Sequence, residues 1–137
     1  MEPYNTFEHT ADIGIEARGA TLEEAFANAA RGMFSIIVDG SDIDAIERKE
    51  IALEATDDDE QLLVDWLSEL LYIHDVEGLV FDRFDITIDD GLHATAWGEP
   101  YSRETHGYGS EIKAVTYHML AIKRTKKGVE IKVLFDI

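Results

Sequence analysis

Two stretches of the chain repeat their apolar residues at helical spacing. Between residues 20 and 39 the apolar positions recur every three or four residues. They are Leu22, Ala25, Phe26, Ala29, Met33 and Phe34. Thr21, followed three positions later by Glu24, forms a capping box, in which side chain and backbone satisfy each other's unpaired N–H groups. This pair predicts that the first helix begins at Thr21.

The second helical stretch, residues 57–76, is the more apolar of the two. A wide stripe of large side chains predicts a helix with one face buried. The stripe consists of Leu62, Leu63, Trp66, Leu67, Leu70 and Leu71. Asp57 or Asp58 can cap the N-terminus of this helix, and Gly78 is placed to end it.

Most of the remaining chain alternates apolar and polar residues, which is the pattern of half-buried strands. The clearest example comes last, where Val129, Ile131, Val133, Phe135 and Ile137 alternate with Glu130, Lys132, Leu134 and Asp136. Other strands are predicted over residues 4–9, 13–19, 48–56, 79–89, 92–101 and 112–125. Residues 102–111 have no apolar period and are predicted to form a loop.

These elements predict an α+β fold in a single domain, residues 1–137. Strands outnumber helices, and neighbouring strands look joined by hairpins. We therefore expect two layers, with a mainly antiparallel β-sheet and two main helices packed on one of its faces. A chain of 137 residues has the usual length of one domain.

The composition argues against several classes of protein. No apolar run approaches the roughly 20 residues that cross a bilayer, and the N-terminus lacks the basic and apolar regions of a signal peptide. With no cysteine there is no disulfide framework, zinc–thiolate site or thiol nucleophile. No phosphate-binding loop of the G-x-x-x-x-G-K-[ST] type is present. We expect a cytoplasmic protein that does not contact a membrane.

The charge is strongly acidic. Twelve Lys and Arg residues stand against 29 Asp and Glu residues, which gives a formal net charge of −17. Such a surface repels phosphate, so tight direct binding to RNA or DNA is not expected. It favours cations or a basic protein partner. Adaptation for solubility, or to a salty or hot cytoplasm, is the alternative explanation.

Three oxygen-bearing groups are the first candidates for chemistry. Asp12 precedes Ile13 and Ile15 and lies on the opposite face of their strand. Asp136 falls on the less apolar face of the last strand, and the α-carboxylate of Ile137 follows it. Two anionic groups held close repel unless a cation lies between them or both face water, and oxygen ligands without cysteine suit Ca²⁺, Mg²⁺ or Mn²⁺. A turn-capping aspartate and a solvated terminus remain open as alternatives.

His9, Lys113, His118 and Glu69 are further candidates. His9 has the alternative of being a partly buried histidine satisfied by a neighbour. Lys113 and His118 could do acid–base work, but no serine or cysteine nucleophile motif accompanies them. Glu69 shares a helix face with Asp65 and could add a metal ligand, with a solvated polar face as the alternative.

Several segments together resemble the archease family. They are FEHTADIG near the start, ATLEEAF and NAA in the first helix, LLVDWLSELLY in the second, EIKAVTYH, and FDI at the end. The segments occur in the expected order and span essentially the whole chain. FEHTADIG and the final FDI are the specific ones.

The resemblance implies a protein that is not itself an enzyme. Archeases are cofactors of the RtcB-type RNA ligase, which splices tRNA by joining a phosphate-bearing RNA end to a hydroxyl end. Archease promotes the guanylylation of the ligase from GTP, sustains multiple turnover and can broaden the nucleotides that the ligase accepts. The tRNA would then be a partner only indirectly, through the ligase.

The resemblance also implies a metal site and a fold. The family binds a divalent cation, with calcium as the first candidate and magnesium or manganese as alternatives. Its ligands correspond here to Asp12, Asp136 and the terminal carboxylate of Ile137. Lys113 and His118 correspond to the KAVTYH segment and would have a supporting or partner-contact role. The fold would be a two-layer α+β domain. A chaperone-like interaction module and a metal-dependent phosphoester hydrolase that uses Asp12, Asp136 and His118 are the alternative functions.

Overall fold

Seven strands and three helices follow one another in the computed structural model, which describes residues 2–137. The strands are β1 (Tyr4–His9), β2 (Asp12–Gly19), β3 (Glu47–Leu53), β4 (Leu79–Asp89), β5 (Gly91–Pro100), β6 (Ala114–Thr125) and β7 (Gly128–Asp136). The helices are α1 (Leu22–Ile37), α2 (Asp59–Glu77) and the short α3 (Arg103–His106). None of these helices, within the described residues, is long and apolar enough to cross a membrane.

The strands form two antiparallel sheets. The first has the order β1-β2-β7-β6 and the second the order β3-β5-β4. Both long helices pack against both sheets: α1 against β1, β2, β7 and β4, and α2 against β6 and β4. The α+β class with antiparallel pairing is therefore confirmed. The division into two sheets departs from the single sheet expected from the sequence. Residues 101–113 lie between β5, in the second sheet, and β6, in the first.

The predicted helix ends are confirmed by their hydrogen bonds. Thr21 Oγ1 accepts the Glu24 N–H at 3.1 Å, and the Glu24 carboxylate accepts the N–H of Ala20 at 3.2 Å. Of the two aspartates that could cap α2, Asp58 does so, by accepting an N–H from the first turn at 2.9 Å. Gly78 ends the helix in the left-handed conformation, at φ 71°, which glycine adopts without steric cost.

The apolar stripes of the two long helices meet in one core. Trp66 and Phe26 are both fully buried, and the indole N–H of Trp66 donates to the carbonyl of Phe26 at 3.1 Å. Phe34, Phe81 and Phe84 pack beside them, with the rings of Phe34 and Phe81 in an edge-on contact 5.7 Å apart. This core holds the helices against the sheets.

The segment 102–111 departs from the prediction of a loop, because it contains α3. Its last residue, His106, is buried, and its Nε2 lies 3.0 Å from the carboxylate of Glu99. Nδ1 of His106 accepts the N–H of Ser102, so Nε2 carries the proton and donates to Glu99. The same carboxylate accepts the N–H of Asp44 at 2.7 Å. This network, which no hydrophobic period could reveal, holds the loop that leads to β6.

We expect Glu99→Gln to weaken the fold in a pH-dependent way. Hydrogen bonds from the Asp44 N–H and from His106 hold the pKa of the Glu99 carboxyl below its ordinary value of 4.5. A carboxylate with a lowered pKa stabilises the fold above pH 4.5, and this contribution is lost as the pH falls through the folded-state pKa. The variant should lose about 1.5–3 kcal/mol at neutral pH, as expected for hydrogen bonds to a charged group.

Urea unfolding of wild type and Glu99→Gln between pH 7 and pH 3 measures this effect. The difference in unfolding free energy should be largest at neutral pH and shrink below the ordinary pKa of 4.5. A difference that stays constant over the whole range would show that the charge of Glu99 does not stabilise the fold.

Candidate metal-binding tip

A tight hairpin places Asp12 at the end of the first sheet. Strands β1 and β2 are connected by Thr10 and Ala11 alone, and Thr10 has φ 52°, in the left-handed region. The hairpin register sets His9 directly opposite Asp12. Asp12 is thus the first residue of β2 and lies at the same sheet end as the last residues of β7.

Asp12 and Asp136 lie directly opposite each other. The β2–β7 register pairs Asp12 with Asp136, and the next pair along is Ile13 with Phe135. Side chains of directly opposed residues share a face of the sheet and are close neighbours. Both carboxylates therefore lie on the outer face, away from the buried Phe135. The predicted faces agree with this placement, and the register brings together two residues from the two ends of the chain.

The two carboxylates have no compensating partner. Within residues 2–137, the side chains of Asp12 and Asp136 take part in no hydrogen bond or salt bridge. Like charges directly opposite each other destabilise a sheet. The arrangement thus costs stability unless a cation or a partner neutralises it. We call Asp12, Asp136 and the α-carboxylate of Ile137 the acidic tip.

The start of β6 fixes the position of the acidic tip from the other side. The backbone N–H of Lys113 donates to the carbonyl of Asp136 at 2.7 Å, and Ala114 is the register partner of Asp136. Lys113 is exposed and Ile137 half-buried. The backbone around Asp136 is therefore held on both sides, by β2 and by β6.

A wide bulge in β6 brings His118 to His9. The β6–β7 register is interrupted between Thr116 and Ala121, and Met119 within the interruption has φ 60°. Although β6 and β1 are the opposite edges of the sheet, the rings of His9 and His118 lie 5.5 Å apart. His118 therefore reaches the strand that carries His9, whereas the hydroxyl of Tyr117 donates to Gln61 on α2 at 2.9 Å. The alternation of apolar and polar residues in the sequence does not predict this bulge.

Two polar atoms near this bulge are buried without a partner. They are Nδ1 of His9 and Oγ1 of Thr116. Buried polar atoms are normally satisfied by protein or by ordered water. His9 is a candidate from the sequence, whereas Thr116 is a polar residue of the EIKAVTYH segment to which the sequence assigns no role.

Leu134 departs from the predicted pattern of β7. It falls on the polar face with Asp136, yet it is fully buried. Gly14 lies opposite it, and a Cβ added at Gly14 would collide with both Leu134 and the ring of Phe7. Phe7, Gly14 and Leu134 thus form a small apolar contact on the outer face, next to the acidic tip.

Glu69 is not joined to the acidic tip by any described contact. It lies half-buried on α2, and within residues 2–137 it makes no side-chain hydrogen bond or salt bridge. The described residues also contain no group of three or more His, Cys, Asp or Glu side chains that could hold a metal ion. The side chains that could bind a metal at the acidic tip are thus the carboxylates of Asp12 and Asp136. Any further ligands would be the terminal carboxylate, backbone oxygens or water.

Comparison with known proteins gives a consistent assignment. The family model of the Archease protein family matches residues 4–137. A protein archease of Methanosarcina acetivorans is 44% identical over 140 residues, covering 98% of this chain and 95% of that protein. A protein archease of Saccharolobus islandicus is 46% identical and covers 100% of both chains.

Two solved structures resemble the fold over nearly its whole length. The solution structure of a Methanobacterium thermoautotrophicum protein has a TM-score of 0.77 and 40% identity, with 100% of both chains covered. The crystal structure of a Thermotoga maritima archease, described there as a possible chaperone, has a TM-score of 0.67 and 28% identity. That match covers 96% of this chain and 94% of the Thermotoga chain.

Proposed function

Because the chain belongs to the archease family, we propose that it is a protein cofactor of an RtcB-type RNA ligase. In this proposal it promotes guanylylation of the ligase from GTP, sustains multiple turnover in tRNA splicing in the cytoplasm, and broadens the nucleotides that the ligase uses. It meets tRNA only through the ligase. It is an activator rather than an enzyme.

The observation that carries the proposal is the pairing of Asp12 with Asp136. Two like charges face each other on an ordered sheet, at positions where neutral residues would avoid the repulsion and leave the strand pairing intact. Retaining them is understandable if their function is to hold a cation. The backbone on both sides of Asp136 is fixed by hydrogen bonds, so the backbone positions that carry the two carboxylates are set before any ligand arrives.

A hard divalent cation fits these groups best. Asp12, Asp136 and the terminal carboxylate of Ile137 would hold it, and oxygen-only ligands suit calcium first, with magnesium or manganese as alternatives. When bound, such an ion supplies positive charge that stabilises phosphate oxygens. Three protein ligands leave positions for water or for groups of a partner, which suits a site that works in contact with another protein.

The charge of the chain suits the proposed partner. An enzyme that binds RNA needs a basic cleft, and a chain of net charge −17 is attracted to such a cleft. Docked there, the acidic tip would help to position the ligase histidine and the α-phosphate of GTP for in-line attack. His9 and His118 flank the tip and would contact the partner rather than perform chemistry.

Calcium should change which of two proteins is the more stable, wild type or a variant that lacks one charge of the acidic tip. Without the ion, Asp136→Asn removes the repulsion from Asp12, so its melting temperature should be above that of wild type. With calcium, wild type gains stability by RT ln(1 + [L]/Kd), about 2.7 kcal/mol at a hundredfold excess over Kd, and should overtake the variant. Scanning calorimetry in chelator and in calcium measures both temperatures.

Glu130→Gln is the matched control, since it removes a charge from the same face of the same strand at its far end. This variant should gain as much from calcium as wild type. Equal calcium shifts in wild type and Asp136→Asn would mean that the tip does not hold the ion.

A general chaperone is the second candidate, because the Thermotoga relative is described as a possible chaperone. The test is to add the protein to an RtcB-type ligase with GTP under multiple-turnover conditions, and separately to aggregating proteins unrelated to RNA ligation. The proposal requires stimulation of the ligase without suppression of aggregation. The opposite pattern would favour the chaperone, and phosphoester hydrolysis by the isolated protein would favour a hydrolase.

A further inference from the structure

Strand β1 presents an unoccupied edge. It is the terminal strand of the first sheet and, among the described residues, pairs with β2 alone. The six residue pairs from Tyr4–Ala17 to His9–Asp12 follow one another without a bulge. An edge of this kind offers backbone N–H and C=O groups to another strand.

The register shows which backbone groups point outward. The Arg18 N–H donates to the carbonyl of Pro3, so Pro3 is bonded towards β2. In an antiparallel pair, bonded and non-bonded residues alternate. Asn5, Phe7 and His9 therefore also bond towards β2, and the groups of Tyr4, Thr6 and Glu8 point to the edge. Within residues 2–137, no hydrogen bond from outside the sheet reaches Thr6 or Glu8.

An open groove of about 960 Å³ lies along this edge. Its walls are β1, the end of α1 and the loop that contains Tyr108. Thr6 and Glu8 are exposed, and so is Tyr108. The groove thus has room for the side chains of an extended segment whose backbone pairs with β1.

The charge of the groove indicates what such a segment carries. Glu2, Glu8 and Asp39 line it, and no Lys or Arg is among its described lining residues. Arg103, whose guanidinium lies 3.9 Å from the Tyr108 ring centroid, is held against that ring. A second copy of this chain would bring equal acidic edges together and be repelled, whereas a segment rich in Lys or Arg would be attracted.

The other sheet edges are less suited to strand addition. β6 is interrupted between Thr116 and Ala121, and β4 between Phe81 and Arg83. Bulges at an edge terminate or divert pairing. The β3 edge carries Arg48 and Lys49 beside Glu47 and Glu50, and Lys49 is paired with Glu77, so this edge lacks the acidic excess of the β1 groove.

We infer that the β1 edge binds an extended, Lys- or Arg-bearing segment of the partner ligase by strand addition. This inference rests on the proposed function, since it assigns the segment to the ligase. β1 ends at His9, opposite Asp12, so a segment paired along β1 leads directly to the acidic tip. Main-chain hydrogen bonds supply the affinity and the acidic groove selects the side chains.

Thr6→Pro tests the inference, with Thr6→Val as its control. Proline removes the outward N–H and is tolerated at an edge whose N–H faces solvent, whereas valine keeps the N–H and the strand preference. Binding of the purified ligase should weaken about tenfold with proline and remain unchanged with valine. Glu8→Lys should also weaken binding, while Glu50→Lys, an exposed charge reversal on the other sheet, should have much less effect.

Amide hydrogen exchange of labelled wild type, alone and with unlabelled ligase, provides the direct readout. The amides of Thr6 and Glu8 should exchange slowly only in the complex. Binding without this protection, or protection that appears at high concentration without ligase, would overturn strand addition by the ligase while leaving the proposed function intact. Absence of any binding to the ligase would overturn both.

Discussion

Asp12→Asn and Asp136→Asn should each abolish most of the stimulation of the ligase. The two side chains are register partners, and each substitution removes one anionic ligand while keeping the size and the strand position. Loss of groups that merely orient metal ligands already costs about 10–100-fold in affinity or activity. We therefore expect losses of at least that size in multiple-turnover guanylylation, measured as guanylylated ligase formed per minute.

Both variants should be as well folded as wild type, because removing one of two opposed charges relieves repulsion. Circular dichroism and the melting temperature without calcium check this before activity is compared. Glu130→Gln should stimulate like wild type, since it neutralises the other end of the same strand. Full stimulation by either aspartate variant would show that the paired carboxylates are not the working groups.

Of the substitutions proposed for this protein, Trp66→Ala should cause the largest decrease in the free energy of unfolding. The side chain is fully buried, packs against Phe84 and donates a hydrogen bond to the Phe26 carbonyl. Truncation leaves a cavity between α1, α2 and β4 and costs about 3–5 kcal/mol. That is a large part of the roughly 5–15 kcal/mol by which such domains are stable. The unfolding midpoint in urea, followed by far-ultraviolet circular dichroism, measures the loss.

Trp66→Phe separates packing from hydrogen bonding. It keeps an aromatic ring but leaves the Phe26 carbonyl without its indole partner, so it should cost clearly less than the alanine variant. If the two variants were equally destabilised, the hydrogen bond rather than the burial of the ring would dominate at this position. If neither were destabilised, the described core would be wrong.

The sequence predicted the helices and most strands because their signals are local. Thr21, Glu24 and Asp58 are recognisable caps, and they act as such. The polar placement of Asp12 and Asp136 followed from alternation with buried neighbours. These signals need only a few adjacent residues, so one sequence is enough to detect them.

The long-range features could not be predicted in the same way. Alternation shows the face on which Asp136 lies, but not that β7 pairs with β2 in the register that opposes it to Asp12. The bulge that brings His118 to His9 is an interruption of the β6–β7 register, so the order of residues along β6 does not reveal it. Leu134 is buried on a polar face because it lies beside Gly14 of β2 and Phe7 of β1, which are far from it in the sequence. Each of these depends on contacts between distant segments.

The fold explains how an acidic tip can be held without its own stabilising contacts. Strand β7 lies in the middle of the first sheet, and its residues next to the tip, Val133, Leu134 and Phe135, are fully buried. Burial of such large apolar side chains contributes about 1.5–3 kcal/mol each. This exceeds the cost of an exposed like-charge pair, which is of the order of 1 kcal/mol.

The most direct test of the account is the guanylylation assay with two glycines added after Ile137. The extension leaves Asp12, Asp136 and the sheet unchanged but moves the terminal carboxylate away from them. If the acidic tip works as proposed, the extended protein should fold like wild type, lose most of its calcium-induced stabilisation and fail to sustain multiple turnover of the ligase. Stimulation equal to that of wild type would contradict the assignment of the terminal carboxylate as part of the working site.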